Sequence, residues 1–215
     1  MRILSTEPEV IGTVYVQSPE LQYVLYMPIK MAYIDRIAIP SHLKWCEPLV
    51  DCVIRSEGHA LVAKYIYITS KCAVLPPNQL QGRPGWHSDD FKGDDVNYLW
   101  SNIKQTEFCV QEFDISEDCD KSMIELDAQA LDSNIVTYDP YSLVRITQRN
   151  IHRESIIPEL VIRNFVKISV SMNPYNLKGN AHNYLLDYDW EMYDRTTGRN
   201  HAFREPSTNP TPRQD

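Results

Sequence analysis

Apolar and polar side chains alternate in many short stretches of this chain, and the alternation predicts a protein built mainly from β-strands. In residues 60–69, Leu61, Ala63, Tyr65 and Tyr67 occupy every second position, and a period of two places them on one face of a strand. Similar stretches, rich in β-branched and aromatic residues, predict further strands at 11–16, 21–27, 95–100, 106–113, 142–146 and 162–171.

Helical patterns are few. Residues 40–54 carry apolar residues at three- and four-residue spacings, which predicts a helix with Ser41 as its N-cap and an interruption at Pro48. Residues 122–131 fit a helix and a strand equally well. The expected composition is therefore mainly β with a few helices.

Turn-forming residues separate the predicted strands and indicate the fold class. Clusters of proline, glycine, asparagine and aspartate lie at 76–78, 82–85, 93–95 and 139–140. Several short strands divided by such turns predict a sandwich or a barrel. The 215 residues fit a single domain, which we place at 1–204, and the polar residues 205–215 are expected to form a disordered tail.

Charge and cysteine content narrow the class of partner and the setting. The formal net charge is -8, so no overall positive field would attract a nucleic-acid backbone or an anionic membrane. The five cysteines form no C-x-x-C pair, which argues against a disulfide framework and fits a reducing compartment. Because the first residues also lack the apolar run of a signal peptide, we expect a cytoplasmic protein with no membrane partner and no strong nucleic-acid signal.

The strongest candidate chemistry is a metal site that combines two distant parts of the chain. His87 and Asp89 are two residues apart, so on an extended backbone their side chains point the same way. His152 follows the predicted strand 142–146, and Arg163 comes eleven residues later. Two histidines and one carboxylate on one face of an iron ion form the facial triad of non-heme Fe(II) oxygenases. An arginine beside them can bind a carboxylate through two parallel hydrogen bonds.

A competing set of ligands uses the second H-x-acid pair of the chain. It takes His152 and Glu154 as the front pair, His182 as the third ligand and Arg195 as the cation. This set leaves only the residues between 154 and 182 for the intervening strands. The first set is preferred because it leaves more residues for these strands.

The order H-x-D, a distant H and an R eleven residues after it resembles the motif of the Fe(II)- and 2-oxoglutarate-dependent oxygenases. Trp86 precedes the first histidine, as in taurine-dioxygenase-like and phytanoyl-CoA-hydroxylase-like members of that family. The resemblance spans residues 59–171. It implies a double-stranded β-helix, which is a jelly roll related to the cupins.

The resemblance also implies roles for individual residues. His87, Asp89 and His152 match the ligands that hold Fe(II) in that family. Arg163 matches the residue that pairs with the C5 carboxylate of 2-oxoglutarate, and Thr106 matches a threonine that some members place near this co-substrate.

The activity implied by the resemblance is that of a dioxygenase that uses Fe(II), 2-oxoglutarate and O2. Such an enzyme most often hydroxylates its substrate through a ferryl-oxo intermediate. The substrate here would be an unidentified small molecule, such as an amino acid or a nucleoside, or an amino-acid residue of a larger molecule. Two alternatives stay open. One is a non-catalytic or 2-oxoglutarate-independent cupin-like metal protein, including an isomerase or hydrolase, and the other is an oxygenase that acts on nucleobases.

One further segment, 175–195, is dense in aromatic and acidic residues. In one interpretation it is a lid or a substrate wall, with rings for stacking and carboxylates that select a polar or cationic group: Tyr188, Trp190, Tyr193, Asp187 and Asp189. In the other it is a strand that packs its aromatic residues against the outside of the barrel. The sequence supports both equally.

Overall fold

The computed structural model describes residues 1–89, 93–104 and 106–195. The domain boundary expected at 204 and the tail expected at 205–215 lie outside these residues. Eleven strands and two α-helices occur within them: β1 (Arg2–Leu4), β2 (Glu9–Thr13), β3 (Gln22–Lys30), α1 (Glu47–Glu57), β4 (Tyr65–Leu75), β5 (Val96–Ser101), β6 (Glu107–Cys109), β7 (Glu112–Asp114), α2 (Cys119–Gln129), β8 (Ile135–Val136), β9 (Ser142–Ile146), β10 (His152–Arg153) and β11 (Val161–Ser171). Short 3-10 turns lie at Ser41–Cys46, Gly58–Leu61 and Asp132–Asn134. No helix in the described ranges is long and apolar enough to cross a membrane.

The larger sheet has six antiparallel strands in the order β2-β9-β5-β11-β4-β3. The long strand β11 lies near its middle and pairs with β4 along its whole length and with β5 on its other side. Strands β4 and β11, which are far apart in the sequence, are therefore neighbours in the sheet. This connectivity brings residues that are far apart in sequence onto one surface.

A smaller antiparallel sheet, in the order β10-β6-β8, covers one face of the larger one. Phe108 of β6 packs with Leu99 of β5 and with Val144 and Ile146 of β9, so the inner faces of the two sheets share a core. A separate pair, β1 and β7, lies beside them. This mainly β, antiparallel architecture confirms the predicted fold class and is of the jelly-roll type.

The alternation of side chains in β11 divides the interior into two sides. Val166, Ile168 and Val170 point to a large apolar cluster that α1 covers with Leu49 and Val53. The intervening residues Arg163, Phe165, Lys167 and Ser169 therefore point to the other side, toward the smaller sheet, because successive side chains of a strand face opposite ways.

Most predicted strands are present, with altered bounds. The strand predicted at 142–146 is β9, with the same bounds. The strand predicted at 60–69 begins too early, because residues 58–61 form a 3-10 turn and β4 begins at Tyr65. The strand predicted at 106–113 is two short strands, β6 and β7. The ambiguous segment 122–131 lies largely in the helix α2.

The predicted helix at 40–54 needs two corrections. A 3-10 turn begins at Ser41, which makes no side-chain capping hydrogen bond. The α-helix starts later, and Pro48 lies in its first turn. Proline is well tolerated there because its missing N–H would have no helical partner anyway.

The segment 175–195 lies across one end of the larger sheet without forming a regular strand. Its main anchor is the fully buried Asn183, whose side-chain amide donates hydrogen bonds of 2.8 Å to the carbonyls of both Pro28 and Ala38. The backbone N–H of Ala181 adds a hydrogen bond to Leu25. The segment is therefore not the strand that one interpretation expected, although its aromatic residues Tyr188 and Trp190 do pack against the cluster of Met31, Ala38 and Leu186. The interpretation as a substrate wall stays a prediction.

A charged network ties the end of α1 to the larger sheet. The carboxylate of Glu57 accepts hydrogen bonds from Tyr98 (2.7 Å) and Arg145 (3.1 Å), and it lies 3.7 Å from Lys64. Burial raises the pKa of the Glu57 carboxyl, but these three partners together outweigh it and lower the pKa below its ordinary value.

The Glu57 network predicts a pH-dependent part of the stability. A carboxyl group whose pKa is lowered by folding stabilises the protein above its unfolded pKa of about 4.3, and this contribution is lost as the pH falls through the folded value. We expect Glu57→Gln to lower the free energy of unfolding by about 1–3 kcal/mol at pH 7. The difference from the parent should shrink below about pH 4.

Urea unfolding at pH 7 and at lower pH measures this effect, with the exposed Glu20→Gln as the control. If the difference in the free energy of unfolding between Glu57→Gln and the parent stays constant with pH, the stabilisation does not come from the charge of Glu57.

Candidate metal centre

A glycine turn sets the direction of the strand that carries the first two candidate ligands. Gly85 has a φ of +77°, and a Cβ at this position would lie 2.9 Å from a carboxylate oxygen of Asp127. The same carboxylate accepts a hydrogen bond of 2.9 Å from the backbone N–H of Trp86. The Trp86 ring is buried with Leu126 of α2. The turn, the helix and the buried ring together hold the backbone that leads into His87.

His87 and His152 face each other across two antiparallel segments. The backbone N–H of each donates a hydrogen bond of 2.9 Å to the carbonyl of the other. Directly opposed residues in such a pair project their side chains to the same face, and the centroids of the two imidazole rings are 4.6 Å apart. The chain therefore returns to the same point of the smaller sheet after the sixty-four residues between them.

Asp89 completes a group of three. Each of His87, Asp89 and His152 offers one ligand atom, and these atoms all lie within 4.8 Å of one another. One carboxylate oxygen of Asp89 is 3.9 Å from Nε2 of His152. In the part of the chain that the structure describes, this is the single group of three or more such residues with metal-binding geometry.

Hydrogen bonds on the outer side of each ring orient both imidazoles. Nδ1 of His87 lies 2.9 Å from the carbonyl of Gly85, and Nδ1 of His152 lies 2.8 Å from the carbonyl of Asn150. Because a carbonyl can only accept, each Nδ1 carries the proton, and Nε2 keeps its lone pair for a metal ion. Burial, reinforced by the neighbouring His152, lowers the pKa of His87 to about 3, and burial also lowers the pKa of His152. Both rings are thus neutral at pH 7.

The carboxylate of Asp89 is held by Lys167 and Asn97, neither of which was among the predicted ligands or co-substrate residues. Nζ of Lys167 lies 2.5 Å from the outer oxygen of Asp89, and the amide of Asn97 donates to the same oxygen at 3.3 Å. Ser169 in turn donates a hydrogen bond of 2.6 Å to the amide oxygen of Asn97. Burial raises the pKa of Asp89, but Lys167 and the two histidines outweigh it and lower that pKa. The inner oxygen is left to face the histidines.

One sequence signal could have identified Lys167. It follows Arg163 by four residues in a strand, so both point to the same side. A lysine on the inward face of a strand is unusual, because lysine side chains are mostly exposed unless they are paired. Burial lowers the pKa of Lys167, but Asp89 and Tyr26 together outweigh burial and raise that pKa overall, so Lys167 is charged at pH 7.

Arg163 lies on the face of β11 that points toward the smaller sheet, and its guanidinium is paired with a carboxylate. Its Nη1 forms an ion pair with Glu154, which also accepts hydrogen bonds from the backbone N–H groups of Gln81 (2.9 Å) and Gly82 (2.6 Å). The Nε of Arg163 is buried and has no hydrogen-bond partner within the described residues. Thr106, the other residue expected near the co-substrate, is buried directly before β6.

The competing set of ligands is not assembled. Glu154 is occupied by Arg163 and by two backbone amides. His182 belongs to the segment 175–195, where its ring stacks on Tyr188 at 4.6 Å. Arg195 hydrogen-bonds the carbonyl of Lys178.

Comparison with known proteins gives a distant structural likeness. No family model matches the chain, and no similar curated protein was found. Fourteen chains of solved structures match, and one of them is a non-heme monooxygenase, ThoJ in its apo form. That match has a TM-score of 0.39 and 10% sequence identity, and it covers 60% of this chain and 55% of the other. The chain thus spans about half the length of that structure. Such a likeness is too distant to assign a function, which must rest on the site itself.

The pairing of Lys167 with Asp89 predicts opposite effects of one substitution on the metal-free and the metal-bound protein. Lys167→Gln leaves the Asp89 carboxylate buried without its cation, so the metal-free protein should lose about 3 kcal/mol of its free energy of unfolding. A divalent ion supplies the missing positive charge. Zn(II) should therefore stabilise Lys167→Gln more than it stabilises the parent.

Urea unfolding in EDTA and in excess Zn(II) measures both effects. Lys44→Gln, which breaks an exposed ion pair with Glu47, is the control and should change neither value by more than about 0.5 kcal/mol. Equal stabilisation of Lys167→Gln and the parent by Zn(II) would show that Lys167 does not neutralise the site.

Proposed function

We propose that this protein is a non-heme iron oxygenase and that His87, Asp89 and His152 hold the iron. The observation that carries the proposal is the convergence of one ring nitrogen from each of two neutral imidazoles and one carboxylate oxygen within 4.8 Å. Two nitrogen donors and one carboxylate on one side of an ion are the ligand set that non-heme Fe(II) oxygenases use, and they leave the opposite side open. The donors of this chain therefore fit that metal.

The protein sets the protonation state of the two histidines, the charge of Asp89 and the orientation of these side chains. Because both rings are neutral, a metal ion would displace no proton from them at pH 7. Asp89 contributes one negative charge through its inner oxygen, since Lys167 and Asn97 occupy the outer one. Iron bound there, together with O2, would supply the oxidation of a substrate C–H bond.

We further propose 2-oxoglutarate as the co-substrate and Arg163 as the residue that binds its C5 carboxylate. The support is the buried Nε of Arg163, which lacks a described partner. A buried N–H donor without a partner costs free energy, and an incoming carboxylate would remove that cost. Thr106 remains the proposed second contact on the strength of the resemblance alone.

A second candidate is a metal protein that does not use 2-oxoglutarate. The observation that favours it is the ion pair between Arg163 and Glu154, because a guanidinium already neutralised by a carboxylate attracts a second anion less strongly. Such a protein would keep the metal cluster and lose the co-substrate. Iron and 2-oxoglutarate binding must therefore be measured separately.

Removal of one ligand tests the metal site. We expect His152→Ala to weaken Fe(II) binding by more than about 100-fold, since even the loss of residues behind the ligands typically costs about 10–100-fold. Anaerobic titration by calorimetry measures the affinity. The exposed His42→Ala is the control and should bind Fe(II) as the parent does. Unchanged binding by His152→Ala would overturn the assignment of the metal centre.

A pair of substitutions tests the co-substrate. Arg163→Lys loses the planar fork that binds carboxylates and should weaken 2-oxoglutarate binding by about tenfold. Glu154→Gln removes the competing charge and keeps an oxygen for the two backbone amides, so it should tighten 2-oxoglutarate binding severalfold. Neither should change the affinity for Fe(II).

The readout is the visible charge-transfer band that forms when a 2-oxo acid chelates Fe(II) without oxygen, followed by succinate release in air. Opposite shifts of the two variants support Arg163 as the anion site. If iron binds and no band forms with the parent, the protein is the 2-oxoglutarate-independent metal protein of the second candidate.

A further inference from the structure

A cavity of about 400 Å³ lies beside the metal centre and is distinct from the cluster of ligands. Its volume is in the range of pockets that hold small molecules, about 300–1,000 Å³. Four aromatic residues from three parts of the chain contribute to its lining: Tyr26, Tyr175, Tyr188 and Trp190. Three of these residues come from the segment that the sequence presented as a possible substrate wall.

The aromatic walls are rigid before any ligand arrives. Tyr175 stacks on Tyr67 with a centroid distance of 4.1 Å and an interplanar angle of 3°. Tyr188 contacts Trp190 at 4.5 Å, and its hydroxyl accepts a hydrogen bond of 3.0 Å from the backbone N–H of the anchored Asn183. A preformed pocket loses little conformational entropy on binding.

Tyr26 connects the cavity to the metal centre. It lies at an irregularity of β3 and has a φ of +44°, which is an uncommon and costly conformation for a residue with a side chain. Its backbone N–H is held by Thr69 at 3.0 Å. The Tyr26 ring has its centroid 5.7 Å from Nζ of Lys167, the same atom that pairs with Asp89. One lysine therefore separates the cavity wall from a metal ligand.

The charges around the cavity limit what it can hold. Of the described residues that line it, Lys178 is the one lysine or arginine, and it pairs with Asp194 at 2.9 Å. Lys167, behind Tyr26, pairs with Asp89. Asp189 contributes an exposed carboxylate to the lining. Aromatic faces attract cations and planar rings, and the described residues of the lining offer an anion no ammonium or guanidinium that is free of a carboxylate partner.

We propose that this cavity binds a planar aromatic group, uncharged or positively charged, and that this group belongs to the substrate of the oxygenase. The identification of the group as a substrate rests on the proposed function. Tyr26 lines the cavity and contacts Lys167, which pairs with Asp89, so a group that stacks in the cavity is separated from a metal ligand by these two side chains.

Four probes with matched frameworks test the proposal on the metal-free protein: 2-phenylethylamine, 2-phenylethanol, 2-cyclohexylethylamine and phenylacetate. Ligand-detected NMR titration gives the dissociation constants. We expect the two neutral or cationic aromatic probes to bind at least about fivefold more tightly than the cyclohexyl amine, because stacking is lost with the ring. They should also bind more tightly than phenylacetate, whose charge finds no cation.

Substitutions locate the binding. Trp190→Leu and Tyr188→Leu should each weaken the aromatic probes by about fivefold or more, whereas Tyr15→Leu removes a ring elsewhere on the surface and should have no effect. Thermal melts of all three variants show whether they fold, and two independent pocket variants keep the test valid if one does not. Equal binding of the phenyl and cyclohexyl amines, or binding unchanged by both pocket substitutions, overturns the proposal.

The same measurements separate this proposal from the proposed function. His152→Ala should abolish Fe(II) binding and leave the probe affinities unchanged, because the cavity does not include the metal ligands. If the parent protein binds the probes and binds no iron, the aromatic site is supported and the proposed oxygenase function is contradicted. If it binds iron and shows no selective probe binding, the metal centre is supported and the aromatic site is contradicted.

Discussion

The central position of β11, paired on both sides, is the constraint on which the arrangement of the site depends. Its hydrogen bonds to β4 and β5 fix the register of three strands at once. A shift by one residue would exchange the two faces of the strand, and Lys167 would then point into the apolar cluster that contains Ile168. The burial of Ile168 and its alternate neighbours against α1 therefore positions Lys167 and Arg163 on the opposite face.

The electrostatics of the site follow from its burial. Two histidines, an aspartate and a lysine share one enclosed region, and burial alone would disfavour every charge in it. The histidines respond by staying neutral, while Asp89 and Lys167 stay charged because they neutralise each other. A metal ion would find two free imidazole lone pairs and one carboxylate already ionised. The geometry thus prepares a metal site while it keeps the metal-free protein stable.

The ion pair of Arg163 and the aromatic cavity suggest two levels of selectivity. Arg163 is already paired with Glu154, so under the proposed function a co-substrate carboxylate would compete with Glu154 for the guanidinium. At the other end, Tyr26 lies between Lys167 and the cavity. Its φ of +44° is a costly backbone conformation, and the hydrogen bond from its N–H to Thr69 helps to hold it.

The sequence by itself determined the mainly β class, the strand β9 and the common direction of His87 and Asp89, because alternation and the i, i+2 spacing are local properties of a chain. The addition of His152 to this pair was predicted from the resemblance, and in the structure it depends on the backbone pairing of His87 with His152. The sequence did not determine which partner each charge would choose. The competition of Glu154 for Arg163, the capture of Asp89 by Lys167 and the cavity beside Tyr26 depend on contacts between residues far apart in sequence. Those contacts are decided by strand register and by burial, which raise or lower the cost of each charge only after the sheets have packed together.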